Sequence, residues 1–333
     1  MASEAGRAVA EALERGEIEP LEALRRLRRL PAGPPEGGGG PAAVSAAAAP
    51  SAPAPPAAEG GAELDAALAE LDRLVGLEEV KRLVRELIDF VEVQRRRQAQ
   101  RLVTEPTVLH AVFRGNPGTG KTTVARLLAR IYQALGLLER GHLVEVERAD
   151  LVGEYIGHTA QKTREQVRRA LGGILFVDEA YSLARGGEKD FGKEAIDVLV
   201  KAMEDHRGRF VLILAGYQLE MEWFLAQNPG LRSRFPIQIE FPDFEVDQLV
   251  AICELMFHER EYRPSPEALA QLRQRLRRPE WARPVAQGNA RLIRNLVERA
   301  IRRQASRVIR EDRRSREELM EITADDLLGG LPA

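Results

Sequence analysis

A single cysteine, Cys253, stands among 333 residues, so no intramolecular disulfide can form and the chain suits a reducing compartment. It lies within the apolar run LVAICELMF (249–257), where burial in a core is the ordinary use of a thiol. An excess of charge of one sign is missing too: 49 Lys and Arg face 51 Asp and Glu, a formal net charge of −2. That balance gives no global attraction to nucleic acid or to anionic membrane. No run approaches the roughly eighteen apolar residues that a membrane span needs. The opening MASEAGRAVAEALERGEIEP carries acids throughout and no apolar core, unlike a secretory leader, and the expectation is a cytoplasmic protein.

What is present changes along the chain. Residues 1–30 suggest one or two short helices, ALRRLRRL being the clearer amphipathic piece. From Pro31 to Ala62 only Glu36, Val44, Ser45, Ser51 and Glu59 are not Ala, Pro or Gly. Such a segment has almost nothing to bury and its prolines break helices, so a disordered tether is expected over 31–62. From Glu63 a helical period runs to about Arg97, interrupted at Val75-Gly76-Leu77.

Strands and helices then alternate. Buried or alternating runs at 108–114, 142–148, 173–180, 209–217 and 236–241 read as five strands, with helices expected over 122–135, 159–171 and 192–205. This order predicts an α/β fold: a five-stranded parallel sheet with helices on both faces, spanning 63–242. Past Pro242 the pattern is all helix, in DQLVAICELMFHER, PEALAQLRQRLRR and NARLIRNLVERAIRRQASRVIR. A small helical lid domain over 243–333 is the expectation.

Between the first expected strand and its helix lies RGNPGTGKTT. Gly115, Gly120, Lys121 and Thr122 fit G-x-x-x-x-G-K-[ST], with strand before and helix after, as a P-loop requires. Backbone N–H groups from Gly115, Asn116, Pro117's neighbours Gly118 and Thr119, and on through Gly120 to Thr123, would wrap phosphates at the positive end of the helix. Lys121 would reach the outer phosphates, and the Thr122 hydroxyl would hold Mg²⁺. Asp178 and Glu179 end the apolar run ILFVDE, which brings two carboxylates to the carboxyl edge of the sheet beside the cradle. Asp178 suits the Mg²⁺ shell, and Glu179 suits polarising a water for attack on the γ-phosphate of ATP.

GNPGTGKT with ILFVDEA resembles the AAA+ ATPases over about residues 65–310. DLVGEYIGHTAQKT, GGILFVDEAYSLARGGEKDFGKEAIDVLVKAMED, LILAGY and NPGLRSRF resemble, within them, the group containing stage V sporulation protein K and the red-type Rubisco activases. The resemblance implies a homo-oligomeric, hexameric ring that hydrolyses ATP and remodels a protein client. It also implies an arginine finger in GLRSRFP, Arg234 first with Arg232 as the alternate, and a phosphate-sensing lid arginine at Arg291. Val75 and Gly76 resemble the segment that lines the adenine pocket, a plain helix break by glycine being the other reading. The first-sensor position, usually a polar residue such as asparagine, falls here near Tyr217. GEYIGH offers Tyr155, Ile156 and Gly157 as a pore loop that grips peptide by apolar contact, against a tyrosine that packs on the domain.

Three functions compete on these residues. A DNA-directed motor would want basic residues at the pore loop, yet Glu154 precedes Tyr155 and no lysine adjoins it. The arginine clusters RRRQAQR and IRRQASRVIR have helical spacing and suit solvated faces. A nucleotide switch without turnover leaves Glu179 and Arg234 unexplained. Protein remodelling is the expectation, its client a sporulation factor or Rubisco, with nucleic acid and membrane not expected as partners.

Overall fold

The computed structural model describes residues 57–104, 108–155, 157–185 and 190–329. The helices expected within 1–30, most of the Ala/Pro/Gly tether, and Ile156 lie outside the described residues. Helix α1 begins at Ala57 (Ala57–Arg73), inside the span over which a tether is expected. Its first residues are Ala-Ala-Glu, good helix formers despite the glycines that follow.

α1 and α2 (Glu78–Ala99) precede the sheet. The strands β1 (Ala111–Gly115), β2 (Leu143–Val146), β3 (Ile174–Val177), β4 (Val211–Gly216) and β5 (Ile237–Phe241) form one parallel sheet in the order β2-β3-β4-β1-β5. The chain runs outward from β1 to β2, returns through β3 and β4, and crosses β1 to reach β5. Loops that follow β1, β3 and β4 therefore meet at one carboxyl edge, where such sheets bind ligands. Side chains alternate across the sheet. Ala111, Phe113, Ile174, Phe176, Ile213 and Ala215 join the core beneath α1, α2 and α3 (Lys121–Ala134). Val112, Leu175, Val177, Leu212 and Leu214 join the core on the other face. Both faces being covered explains why the strands are continuous apolar runs.

On that second face lie the one-turn α4 (Arg148–Leu151), α5 (His158–Ala170), a 3₁₀ turn (Ala180–Ala184) and α6 (Gly192–Asp205). So do α7 (Gln218–Gln227) and the short α8 (Pro229–Arg232). No periodicity announced α7, since its apolar residues surround the helix: Met221, Phe224 and Leu225 are buried while Leu219 and Trp223 are exposed.

The lid consists of α9 (Val246–His258), α10 (Pro266–Leu276), α11 (Pro279–Arg310), α12 (Arg316–Met320) and α13 (Ala324–Leu328). It is not all helix. Two-residue strands β6 (Arg263–Pro264) and β7 (Glu321–Ile322) pair in parallel. The end of the chain returns to bury Ile322 fully, and the Ile322 carbonyl accepts the Ser265 N–H at 2.9 Å. α11 also begins ten residues before the expected NARLIRN start. It is two helices joined at Asn289, whose φ of 43° and ψ of −128° are not helical.

One buried polar group ties the sheet together. His110, just before β1, accepts the Leu212 N–H of β4 at Nδ1 (2.9 Å), which puts its own proton on Nε2. Phe210 and Phe235 pack on the ring. Burial pushes its pKa down to about 4. The unfolded chain therefore binds this proton more tightly than the folded one. The contribution is complete above about pH 6.5 and is lost as pH falls toward 4, about 3 kcal/mol in all. Unfolding midpoints of the parent and of His110→Gln, which keeps an acceptor but cannot titrate, should diverge over that window as the parent weakens. Parallel pH profiles would show that His110 is not a titrating core group.

Candidate functional site

The loop after β1 is held by backbone proximity. A Cβ at Gly115 would lie 2.3 Å from the Phe241 carbonyl oxygen of β5, so only glycine lets the two strand ends close. Gly118 and Gly120 take φ of 74° and 97°, the left-handed region that glycine enters without strain. Thr119 is fully buried and donates to the Asn116 carbonyl at 2.8 Å. Asn116 and Thr119 do not line the cleft; Asn116 instead donates to the Asp243 carboxylate at 2.9 and 3.0 Å.

Lys121 opens α3 and folds back along the loop, its Nζ donating to the Gly115 and Asn116 carbonyls at 2.8 Å each. Burial lowers its pKa, and Asp178 opposes that shift while Arg291 adds to it. Thr122 faces Glu145 of β2 at 3.5 Å, and Thr123 follows it along the cleft wall.

β3 stops at Val177, sooner than the apolar run suggested, because Glu179 turns left-handed (φ 47°) into the 3₁₀ turn. Asp178 anchors this departure: its N–H donates to the Val146 carbonyl (2.9 Å), and its Oδ1 accepts the Glu179 N–H (2.9 Å). Both carboxylates face the cleft, as does Tyr217 at the end of β4. The Tyr217 ring lies 5.9 Å from that of Tyr181. Burial, and next the Glu179 carboxylate, hold the Tyr181 hydroxyl well above its ordinary pKa.

Between the α/β core and the lid these groups enclose a cleft of about 380 Å³, within the range of small-molecule sites. Part of its lining is apolar: Leu74, Val75, Leu77, Phe244, Ile252 and Met256. Gly76 does not line it but turns the chain: at φ 66° its position is so tight that a Cβ would sit 2.7 Å from the Gln248 side chain. Leu77, left-handed at φ 59°, then lies over Gly120. Another part is polar: Lys121, Thr122, Asp178, Glu179, Arg291 and Arg294. Arg294 was missed by sequence, although it sits three residues after Arg291 on the same helix face. Also missed were Asp243, which carries no motif, and Asn289, two residues before Arg291.

Arg232 and Arg234 lie away from their own cleft. Arg234 pairs with Glu204 of α6, at 3.1 Å from Nε and 2.9 Å from a terminal nitrogen, and donates to the Gly230 carbonyl at 2.7 Å. Arg232 is exposed. Tyr155 is 66% exposed, so it is no core residue; its ring packs edge-to-face with His158, ring centres 5.5 Å apart. Gly157, at φ 85°, caps α5. Among the described residues no helix is long and apolar enough to cross a membrane.

Comparison with known proteins places this geometry. One solved structure, a mutant of Thermotoga maritima RuvB, covers 78% of this chain and 69% of its own at 21% identity and a TM-score of 0.50, a likeness of fold. Stage V sporulation protein K of Bacillus subtilis is 51% identical over 81% of this chain and 88% of its own length. Protein CbbX of Cereibacter sphaeroides is 48% identical over 74% and 80%. The chloroplastic ribulose bisphosphate carboxylase/oxygenase activase of Cyanidioschyzon merolae is 42% identical over 80% and 92%. Residues 245–329 match the AAA lid domain and residues 111–243 the ATPase family associated with various cellular activities. With a P-loop, paired carboxylates and a helical lid around one nucleotide-binding cleft, the chain belongs to the AAA ATPase family and is an ATP-hydrolysing enzyme.

Proposed function

We propose that this ATPase works as a homo-oligomeric, hexameric ring that pulls on a protein client through the loop at Tyr155. The observation that carries the reading is that Lys121, Thr122, Asp178, Glu179 and Arg291 line a single cleft, with Asp178, Glu179 and Arg291 close enough to Lys121 to shift its pKa. The apolar lining suits an adenine base, with Val75 and the turn at Gly76 beside it. In the polar lining, Lys121 exchanges its two loop carbonyls for phosphate oxygens. The N-terminus of α3 faces the same charge. Arg291, with Arg294, reports the phosphates to the lid.

Thr122 and Asp178 fit a divalent cation, since both offer hard oxygen donors in the polar lining. Among the described residues no cluster of three or more His, Cys, Asp or Glu could hold a metal unaided. Thr122 and Asp178 together make the donor set expected for Mg²⁺, one or two protein oxygens completed by substrate phosphates. When bound, Mg²⁺ would neutralise charge on the phosphate oxygens. Glu179 accepts a proton from the attacking water and orients it. Arg234 cannot serve its own cleft, so it acts on the phosphate of a neighbouring copy, with Arg232 as the alternate. Tyr217 stands where a first sensor is expected, beside the Tyr181 ring.

The client reading leans toward a sporulation-type factor on the 51% identity to stage V sporulation protein K. Rubisco is the second reading, favoured by the 42% identity to a Rubisco activase that is covered over 92% of its length. An ATP-loaded Glu179→Gln trap, used to capture the client from the source cell and identify it, separates the two.

Lys121→Ala should abolish ATP binding, whereas Glu179→Gln should bind ATP and lower turnover by about 10²–10⁴-fold. Near-parental steady-state hydrolysis by Glu179→Gln would remove it as the general base. Specific activity should climb with protein concentration. Arg234→Ala should keep ATP affinity and lose on the order of 10³-fold in rate. A fully active monomer would rule out catalysis between copies. Tyr155→Ala should retain the melting temperature, assembly and ATPase rate while client remodelling disappears. Remodelling by a stable Tyr155→Ala protein would take this loop out of the mechanism.

A further inference from the structure

The phosphate loop is bound to the lid at Asn289, two residues before Arg291 in the run GNARLIRN. Asn289, at the kink of α11, is fully buried and holds φ 43°, ψ −128°, a backbone that glycine adopts and other residues resist. Its amide makes four hydrogen bonds. Oδ1 accepts the Phe244 N–H at 2.9 Å. Nδ2 has two hydrogens; one goes to Asp243 Oδ1 at 2.8 Å and the other is shared between the Ala286 carbonyl at 3.2 Å and the Pro117 carbonyl at 3.4 Å. The same Asp243 carboxylate accepts from Asn116 at 2.9 Å. One residue further on, the Ala290 N–H donates to the Gly118 carbonyl at 3.2 Å. Gly118 allows this approach because it lacks a Cβ, which would stand 2.2 Å from the Gly288 carbonyl oxygen.

We infer that Asn289 and Asp243 are positioning residues for the phosphate loop, and that they set the affinity for the ATP phosphates through the lid. The inference rests on the loop being the ATP site. Within a trans peptide the N–H points opposite to the C=O. Tying the Pro117 carbonyl to the lid therefore turns the N–H of Gly118, which lines the cleft, the other way, as a donor of a phosphate cradle must be. Asn116 fixes the loop's entrance through Asp243, whose charge also favours the protonated form of Lys121. A loop without these ties would have to order its amides on each binding event. The strained backbone at Asn289 is consistent with this account: a position kept only for its fold would be relieved by glycine, whereas the amide network needs the side chain.

The test uses the full chain with Mg²⁺ and ATP. Asn289→Gly keeps the kink without strain and removes only the amide. It should raise KM for ATP about tenfold while kcat changes by less than about threefold. A residue that served folding alone would lower the active fraction, and hence kcat, at constant KM. KM within about twofold of the parent in Asn289→Gly overturns the inference, whether or not kcat or melting temperature falls. Asn116→Asp alone sets two carboxylates against each other and should also raise KM. The exchange Asn116→Asp with Asp243→Asn restores a donor for each acceptor and should recover most of the loss. An exchange no better than Asp243→Asn alone overturns the coupling. Lys121→Ala is the control for the site itself: if it binds ATP as the parent does, the loop is not the ATP site and the inference falls with that reading. If it loses ATP while Asn289→Gly does not, only the inference falls.

Discussion

Backbone must touch backbone at two glycines for this site to exist. Gly115 brings the end of β1 against Phe241 of β5, and Gly118 brings the loop against Gly288 of the lid. Each contact is shorter than any side chain would permit, so the phosphate loop is wedged between the last strand and the second domain. Glycine loses the most conformational entropy on folding, and here the loss is offset by what the wedge fixes. The orientation of Lys121, the start of α3 and the seat of the lid all follow from it. Because β4 lies between β1 and β3, the same edge collects Tyr217 after β4 and Asp178 and Glu179 after β3.

Electrostatics at the cleft describe a site arranged for a polyanion. Lys121 is buried enough for desolvation to lower its pKa, and its ammonium is satisfied by two carbonyls of its own loop. Carbonyls are weaker partners for an ammonium than phosphate oxygens, whose hydrogen bonds are charge-assisted at both ends. Arg291 lowers the Lys121 pKa further, while Asp178, Asp243 and Glu179 raise it. Cations and carboxylates thus line the same cleft and stand close enough to act on one another, so it offers partners both for phosphates and for a cation that accompanies them.

Much of this was legible in the sequence because it is local. The loop's glycines, its lysine and the Asp178-Glu179 pair lie in short runs whose flanking periodicity gives strand or helix directly. The five strands and the helical lid follow from the same periods, with ends displaced by a few residues. What stayed hidden depends on distance along the chain. Asn116, Asp243 and Asn289 meet only after folding, and asparagine at a kink looks like asparagine opening a helix. Helix α7 has apolar residues on every side, so no face marks it. The β6–β7 pair is two residues long and joins segments from opposite ends of the lid, which no local pattern encodes. Arg294 was visible by spacing, three residues from Arg291, and was passed over among many lid arginines.

Arg234 shows what assembly would have to change. Within one copy its guanidinium rests on Glu204 and on the Gly230 carbonyl, with the side chains of Arg234 and Glu204 34% and 44% exposed. Pairs this open to water are weak, since solvent screens them and two long side chains must be ordered to form them. A phosphate of higher charge, held in a cleft with low-dielectric walls, offers the same guanidinium a stronger and bidentate partner. Glu204 thus acts as a resting place from which Arg234 can be drawn without the loss of a buried charge pair. Arg207 also contacts Glu204, so the carboxylate keeps a cation when Arg234 leaves. In the proposed ring, that arrangement would let Arg234 leave Glu204 for a neighbour's nucleotide without leaving an uncompensated charge behind.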